Sequence, residues 1–262
     1  MLGAIAGDMI GSPYEANNHR STEFPLFSQQ SCFTDDTVLT VAIADAILSG
    51  GGYRDSVIAY ARRFPHAGYG GTFRKWMWQD DPEPYNSWGN GSAMRVSPVG
   101  WAFDTVDEVL EQAKQSAQIS HDHPEGIRGA QAIALAVLLA RQGADKATLK
   151  SEISGRFGYD LDRRLDDIRP VYAFDVSCQG SVPEALIAVL ESDSVEHAIR
   201  LAVSLGGDSD TLACMAGSVA EALHAGIDAE MDREVRRRLP PALTEVTNRF
   251  REHYCAQRTP ER

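Results

Sequence analysis

Two short stretches set paired carboxylates and hydroxyls in front of apolar runs. Gly206-Gly207-Asp208-Ser209-Asp210-Thr211 leads into Leu212 to Ala220, and Thr34-Asp35-Asp36-Thr37 leads into Val38 to Leu48. Both runs read as helices, which puts each acidic pair at a helix N-terminus. Asp, Ser and Thr cap such ends by accepting hydrogen bonds from the first free N–H groups, and carboxylates suit the positive end of the helix dipole. One Asp suffices for that task. If the two starts converged, their charges would repel unless a cation lay between them, and an all-oxygen donor set suits Mg²⁺, Mn²⁺ or Ca²⁺ rather than zinc. The residues therefore read either as two separate caps or as one hard-cation site built from Thr34, Asp35, Asp36, Asp208, Asp210 and Thr211. A further acid, Glu15, closes the glycine-punctuated stretch Gly7-Asp8-Met9-Ile10-Gly11-Ser12-Pro13-Tyr14-Glu15.

A different chemistry is suggested by Asn86-Ser87-Trp88-Gly89-Asn90-Gly91-Ser92. Glycines let backbone N–H groups approach a phosphate closely, and a neighbouring aromatic ring can stack on a base. The surrounding residues 66–92 are rich in Gly, Pro, Tyr and Trp, so the same stretch could simply cover an edge of the core. His121-Asp122-His123 has the form of half a transition-metal site, but no third His or Cys stands at a supporting spacing. It reads more simply as a polar connection between helices.

Bulk properties limit the partners. The 262 residues carry a formal charge of −12, which argues against binding a nucleic-acid backbone, where clustered Lys and Arg are needed. A nucleotide-like ligand stays compatible, since a bound cation screens a diphosphate locally. The four cysteines, Cys32, Cys178, Cys214 and Cys255, have neither zinc nor disulfide-framework spacing. No basic leader precedes the first apolar stretch, and no run approaches the roughly 20 apolar residues of a membrane span. A soluble, cytoplasmic protein without a membrane partner is expected.

The elements that must position these residues are helices. The pattern predicts a short helix over about 2–12 and a polar loop over 16–33. It then predicts the Asp35-led helix to Leu48, stopped by Ser49-Gly50-Gly51-Gly52, and a helix over 55–64. Further helices are expected over 106–118, 124–139, 181–190 and 194–205, and one or two amphipathic helices over 228–254. Residues 145–175 read as a solvated helical face and nothing more. No alternating strand pattern of useful length appears. The expectation is one all-α domain over 1–262, with a disordered tail from about residue 257.

Five ordered stretches together resemble the ADP-ribosylglycohydrolase family: Gly7-Asp8 through Glu15, Phe33-Thr34-Asp35-Asp36-Thr37, Gly89-Asn90-Gly91-Ser92-Ala93-Met94-Arg95, Ser120-His121, and Gly206 to Thr211. The resemblance spans about residues 1–225 in the family's order. It implies a compact orthogonal helical bundle with a two-Mg²⁺ site (Mn²⁺ as the alternative) at converging helix N-termini, and hydrolysis of the glycosidic bond between ADP-ribose and an acceptor. By the same resemblance, Thr34, Asp35, Asp36, Asp208, Asp210 and Thr211 hold metal, and Asp35 and Asp210 bridge or flank both ions. Glu15 protonates the leaving group, activates water or gates the site. Ser87, Trp88, Gly89, Asn90, Gly91 and His121 contact the ligand, with Trp88 under the adenine. Ser12-Pro13-Tyr14-Glu15 looks more like the branch acting on O-linked (serine or O-acetyl) ADP-ribose than the arginine-directed branch. The partner implied is an ADP-ribosylated protein or conjugate, bound by a monomer. Two other readings share these residues: a non-catalytic ADP-ribose binder, and a hydrolase of another small nucleotide conjugate.

Overall fold

A computed structural model describes residues 1–255; the expected disordered tail lies outside them. Helix α1 (Leu2–Gly11) is buried on every side, which its nearly uninterrupted run of apolar and small residues permits. Thr34 caps α2 (Asp35–Ser49) from an extended backbone, its Oγ1 accepting from the Asp36 N–H, and left-handed Gly50 ends the helix. Next come α3 (Tyr53–Arg63), α4 (Gly71–Trp76) within the aromatic stretch, and the short α5 (Gly91–Met94) and α6 (Ser97–Ala102). A Thr105–Glu108 capping box starts α7 (Val106–Gln118). Helix α8 (Pro124–Arg141) has proline in its first turn and is capped by the ring of His123. That cap gives His123 a structural task, as a helix connection requires.

The chain continues through α9 (Lys146–Phe157), α10 (Leu165–Ile168), α11 (Cys178–Glu191), α12 (Val195–Val203) and α13 (Ser209–Leu223). It ends in α14 (Ala229–Arg238) and α15 (Pro241–Phe250), with a π-helical turn at Arg251–Cys255. The all-α expectation holds: among the described residues there is no strand, only one isolated bridge between Gly89 and Ser177. No helix among them is long and apolar enough to cross a membrane. Two readings need correction. Helix α11 begins three residues before Ser181, because Ser177 caps it and Pro183 is tolerated inside its second turn. Residues 145–175 are not one solvated face. After the short α10 the chain runs as a loop through Val171, Phe174 and Val176, apolar residues left exposed. Without a period, such residues carry no helical signal.

One contiguous apolar core joins these helices, and α13 runs through it, packed on α1, α8, α11 and α12. The contact between α1 and α13 is set by small residues. Gly3, Gly7 and Gly11 recur every four positions and so form one stripe on α1. A Cβ on Gly7 would lie 2.0 Å from the Ala213 carbonyl oxygen, one on Gly3 2.2 Å from that of Gly217, and one on Gly11 2.5 Å from the Asp210 Cα. The two backbones touch, and only glycine fits between them.

Gly7→Ala is therefore expected to destabilise the protein by roughly 1–3 kcal/mol, the usual cost of overpacking a core. Gly155→Ala, in the exposed interior of α9 where an added Cβ meets nothing within 4 Å, should be neutral or stabilise by about 0.5–1 kcal/mol. Urea unfolding of the two variants checks this. Equal midpoints would mean that the helix contact yields at no cost.

Candidate active site

The acidic residues of three helix ends meet in one place. Asp8 comes from the second half of α1, Asp35 and Asp36 from the first turn of α2, and Asp208 and Asp210 from the start of α13. Gly206 and Gly207, both left-handed with φ of +69° and +68°, turn the chain into α13. Asp208 occupies the N-cap position of α13, yet its side chain makes no capping hydrogen bond. Simple capping does not account for it. One carboxylate oxygen each from Asp8, Asp36 and Asp210 lie within 4.8 Å of one another, and so do those of Glu15, Asp208 and Asp210. Asp210 belongs to both groups. Asp35 is in neither but lines the same cleft.

Some of this charge is met by hydrogen bonds. Buried Asp8 accepts from the Thr34 N–H (2.9 Å), the Thr34 hydroxyl (2.7 Å), the Thr37 N–H (3.1 Å) and the Thr37 hydroxyl. The Asn90 amide donates to Asp208 Oδ2 at 2.7 Å and the Thr211 hydroxyl to Asp36 Oδ2 at 3.2 Å. Asp36 Oδ1 is buried and has no hydrogen-bond partner among the described residues. A buried carboxylate oxygen left unpaired is costly, and a cation is the group that this donor set fits. The electrostatics point the same way. Burial raises the Asp8 carboxyl to about 6, against the hydrogen bonds from Thr34 and Thr37. Burial and then the charge of Asp8 raise Asp35 to about 8. Asp36 and Asp210 stand well above the ordinary carboxylate range, first through burial and then through their acidic neighbours. Burial raises Asp208 against the hydrogen bond from Asn90. Glu15, exposed at the mouth, is raised by partial burial and by Asp208 and Asp8.

The acids form one end of a cleft of about 540 Å³. Its other end is the loop Asn86–Gly91 with His121 behind it. The Ser87 hydroxyl accepts from the Gly89 N–H at 3.2 Å, and the loop is pinned to the opposite wall by Asn90 N–H to Val176 O (2.7 Å) and Cys178 N–H to Trp88 O (3.0 Å). Trp88 and Phe174 are about half exposed at the rim. The cleft lining includes Glu15, Thr34, Asp35, Asp36, Ser87, Trp88, Gly89, Asn90, Gly91, His121, Asp208, Asp210 and Thr211. Every site residue read from the sequence thus lies on one cleft. Two of them are engaged internally: Asn90 tethers Asp208, and Thr34 both caps α2 and holds Asp8.

Four residues were given no role by the sequence reading, although Asp8 and Arg95 stand within the stretches quoted there. Asp8 sits inside an apolar helix, where its only signal is that a charge has no place there. Arg95 is fully buried and lines the cleft, yet a single Arg in an irregular stretch carries no pattern. Phe174 and Val176 form the wall of the aperiodic loop.

Known proteins bear on this arrangement. A sequence profile described as ADP-ribosylglycohydrolase matches residues 1–259. The chain is 29% identical to the human "ADP-ribosylhydrolase ARH3", covering 87% of this chain and 85% of that protein. The mouse protein of the same name is 27% identical over 86% of this chain and 82% of its own length. "ADP-ribosylarginine hydrolase Tri1" of Pseudomonas putida (strain GB-1) is 25% identical over 86% of this chain and 69% of its own. A solved structure titled "ADP-ribosylglycohydrolase-related protein complex" superposes with a TM-score of 0.71 over 95% of this chain and 96% of that one, at 24% identity, a likeness of fold.

The raised carboxyls make a prediction about stability. Asp35 keeps its proton up to about pH 8 in the folded chain, but an unfolded Asp gives it up near pH ~4. Between those values the unfolded state is the more ionised, so stability without metal falls as pH rises from about 4 to about 8 and then levels. In EDTA the Tm should decline across that window, and a divalent cation should recover much of the loss at its upper end. Asp36→Asn should raise the Tm in EDTA and weaken the gain from the cation. A flat profile in EDTA, or an undiminished gain in the variant, would remove the case for a cation here.

Proposed function

The chain belongs to the ADP-ribosylglycohydrolase family and is a hydrolase of ADP-ribose glycosidic linkages, and from that premise we propose a metal-dependent ADP-ribosylhydrolase acting on O-linked ADP-ribose. The observation that carries the site assignment is the shared cleft: a buried acid cluster at one end opens onto a glycine and aromatic loop at the other. ADP-ribose has matching ends, a ribose with its anomeric bond and an adenosine diphosphate.

Asp36, Asp208 and Asp210 would hold the cations, with Thr211, Thr34 and Asp35 around them. Two Mg²⁺ ions are the proposed complement, Mn²⁺ the alternative. Divalent cations there, when bound, supply neutralisation of the carboxylates, orientation of hydroxyls and a lowered pKa for bound water. The protein's own residues do the rest. Asp8, sealed by Thr34 and Thr37, holds α2 against α1 and so sets Asp35 and Asp36 in place. Asn90 orients Asp208. Glycoside cleavage builds positive charge on the ribose, which the surrounding carboxylates stabilise. Glu15 is placed at the mouth where the acceptor must leave. Its raised pKa suits a group that gives a proton to a leaving oxygen and then takes one from water. Ser87 would present its hydroxyl and Gly91 its backbone N–H to the diphosphate, Gly89 would let the ligand approach closely, and Trp88 would offer its face to adenine.

Support for the O-linked acceptor comes from Ser12-Pro13-Tyr14-Glu15, which resembles the branch acting on O-linked ADP-ribose more than the arginine-directed one. The deciding assay is ADP-ribose release from matched serine-linked and arginine-linked peptides, each with Mg²⁺ and with EDTA. Release from the serine-linked peptide alone, lost in EDTA, is expected. Release from the arginine-linked peptide alone would reverse the acceptor assignment, and release undiminished by EDTA would end the metal assignment. Trp88→Ala should weaken ADP-ribose binding by roughly 1–3 kcal/mol, the range for base–aromatic stacking. An unchanged affinity by calorimetry would place the base elsewhere.

A further inference from the structure

Arg95 is the one Arg or Lys buried among the described residues, and no carboxylate answers it. Its Nη2 donates to the Ser116 carbonyl at 2.9 Å and to Ser120 Oγ at 3.0 Å; its Nε and Nη1 have no hydrogen-bond partner among the described residues. Such a charge is expensive to keep without a purpose. Its position supplies one. Ser120 Oγ lies 2.8 Å from His121 Nδ1, and the opposite ring nitrogen, Nε2, faces the glycine loop. A Cβ on Gly91 would stand 3.1 Å from that nitrogen and one on Gly89 3.5 Å.

Arg95 biases the place of one proton along this chain. An Arg nitrogen donates and never accepts, so it takes one lone pair of Ser120 Oγ. The Tyr85 hydroxyl interacts with Ser120; when it gives its own proton to the second lone pair, the buried Ser120 proton has His121 Nδ1 as its acceptor. The reverse arrangement, with Nδ1–H donating to Ser120, would leave the ring's bare Nε2 lone pair facing the cleft. Burial and the charge of Arg95 hold His121 well below its ordinary pKa, so the ring is neutral.

We propose that Arg95 and Ser120 are positioning residues that fix His121 as the Nε2–H tautomer, a neutral hydrogen-bond donor aimed at an anionic oxygen of the ligand beside Gly89 and Gly91. That donor's use on a diphosphate rests on the ADP-ribose reading above; the tautomer itself does not. His121 is then not an acid or base in the reaction. It is a fixed donor, and Arg95 serves the site through it.

The experiment is a long-range ¹H–¹⁵N correlation spectrum of the full-length protein labelled at histidine, with His121 identified by its loss in His121→Gln. ADP-ribose affinity is measured on the same samples. Wild type should show the Nε2–H pattern near neutral pH. Ser120→Ala should give a mixture of tautomers and about ten-fold weaker binding, as loss of a well-oriented donor to a charged group implies. Ser120→Thr, which keeps the hydroxyl, should restore both. Arg95→Met should behave as Ser120→Ala; if it does not fold, the Ala and Thr pair at 120 still decides. An Nδ1–H or imidazolium pattern in wild type, or an unchanged tautomer in Ser120→Ala, overturns the proposal. A wild type with the Nε2–H pattern that neither binds nor cleaves ADP-ribose upholds the tautomer and overturns the functional reading instead.

Discussion

Everything at this site depends on how closely two helix backbones approach. Helix α1 meets α13 through Gly3, Gly7 and Gly11 on one side and Ala213 and Gly217 on the other, with no room for a side chain between them. That contact brings Asp8 and Asp210 into one cluster despite their like charges. A looser contact would let the carboxylates drift apart, as electrostatics alone would have them do. The apolar burial of α1 and α13 along nearly their whole lengths opposes that drift. The small-residue stripe is thus a packing feature with an electrostatic consequence.

The carboxylates are not treated alike. Asp8 is saturated by two threonines and sits deepest, so it serves as the joint between α1 and α2 rather than as an open ligand. Asp208 is oriented by Asn90 from the glycine loop, which couples the acid cluster to that loop through one hydrogen bond. Asp36 keeps an oxygen unpaired, and Asp210 belongs to both acidic groups. The hydroxyls flanking each pair explain this division. Thr34 and Thr37 turn inward to Asp8, and Thr211 reaches across to Asp36. The same short motif therefore supplies open ligands and the groups that hold them.

Much of this was legible in the chain itself. The two acidic helix starts announced themselves because apolar runs follow them, and the loop Asn86–Gly91, which lines the same cleft, because its glycines stand beside a tryptophan. Helices α7 and α8 carried strong periods and end signals, and they lie as expected. The misses share a physical cause. Asp8 is surrounded by apolar residues, so in sequence it looks like the end of a hydrophobic stretch, while its partners Thr34 and Thr37 lie far along the chain. Arg95 acts from beneath the cleft through Ser120, a relation no local pattern encodes. The wall formed by Phe174 and Val176 is an irregular loop held by backbone bonds to Trp88 and Asn90, and such pairings between distant loops have no period to read.

The charge distribution along the cleft also orients what enters it. Overall the chain is strongly acidic, with a formal charge of −12, and the acid cluster concentrates that sign at one end. Arg95, buried beside His121, places an uncompensated positive charge at the other. Charges several ångströms apart in a partly dry cleft interact far more strongly than in bulk water. A diphosphate arriving in the reverse sense would meet the carboxylates directly. In the proposed sense it would meet the glycine loop and a donor histidine backed by Arg95, and its ribose would fall among the acids. The proposed direction would set the anomeric bond beside Glu15.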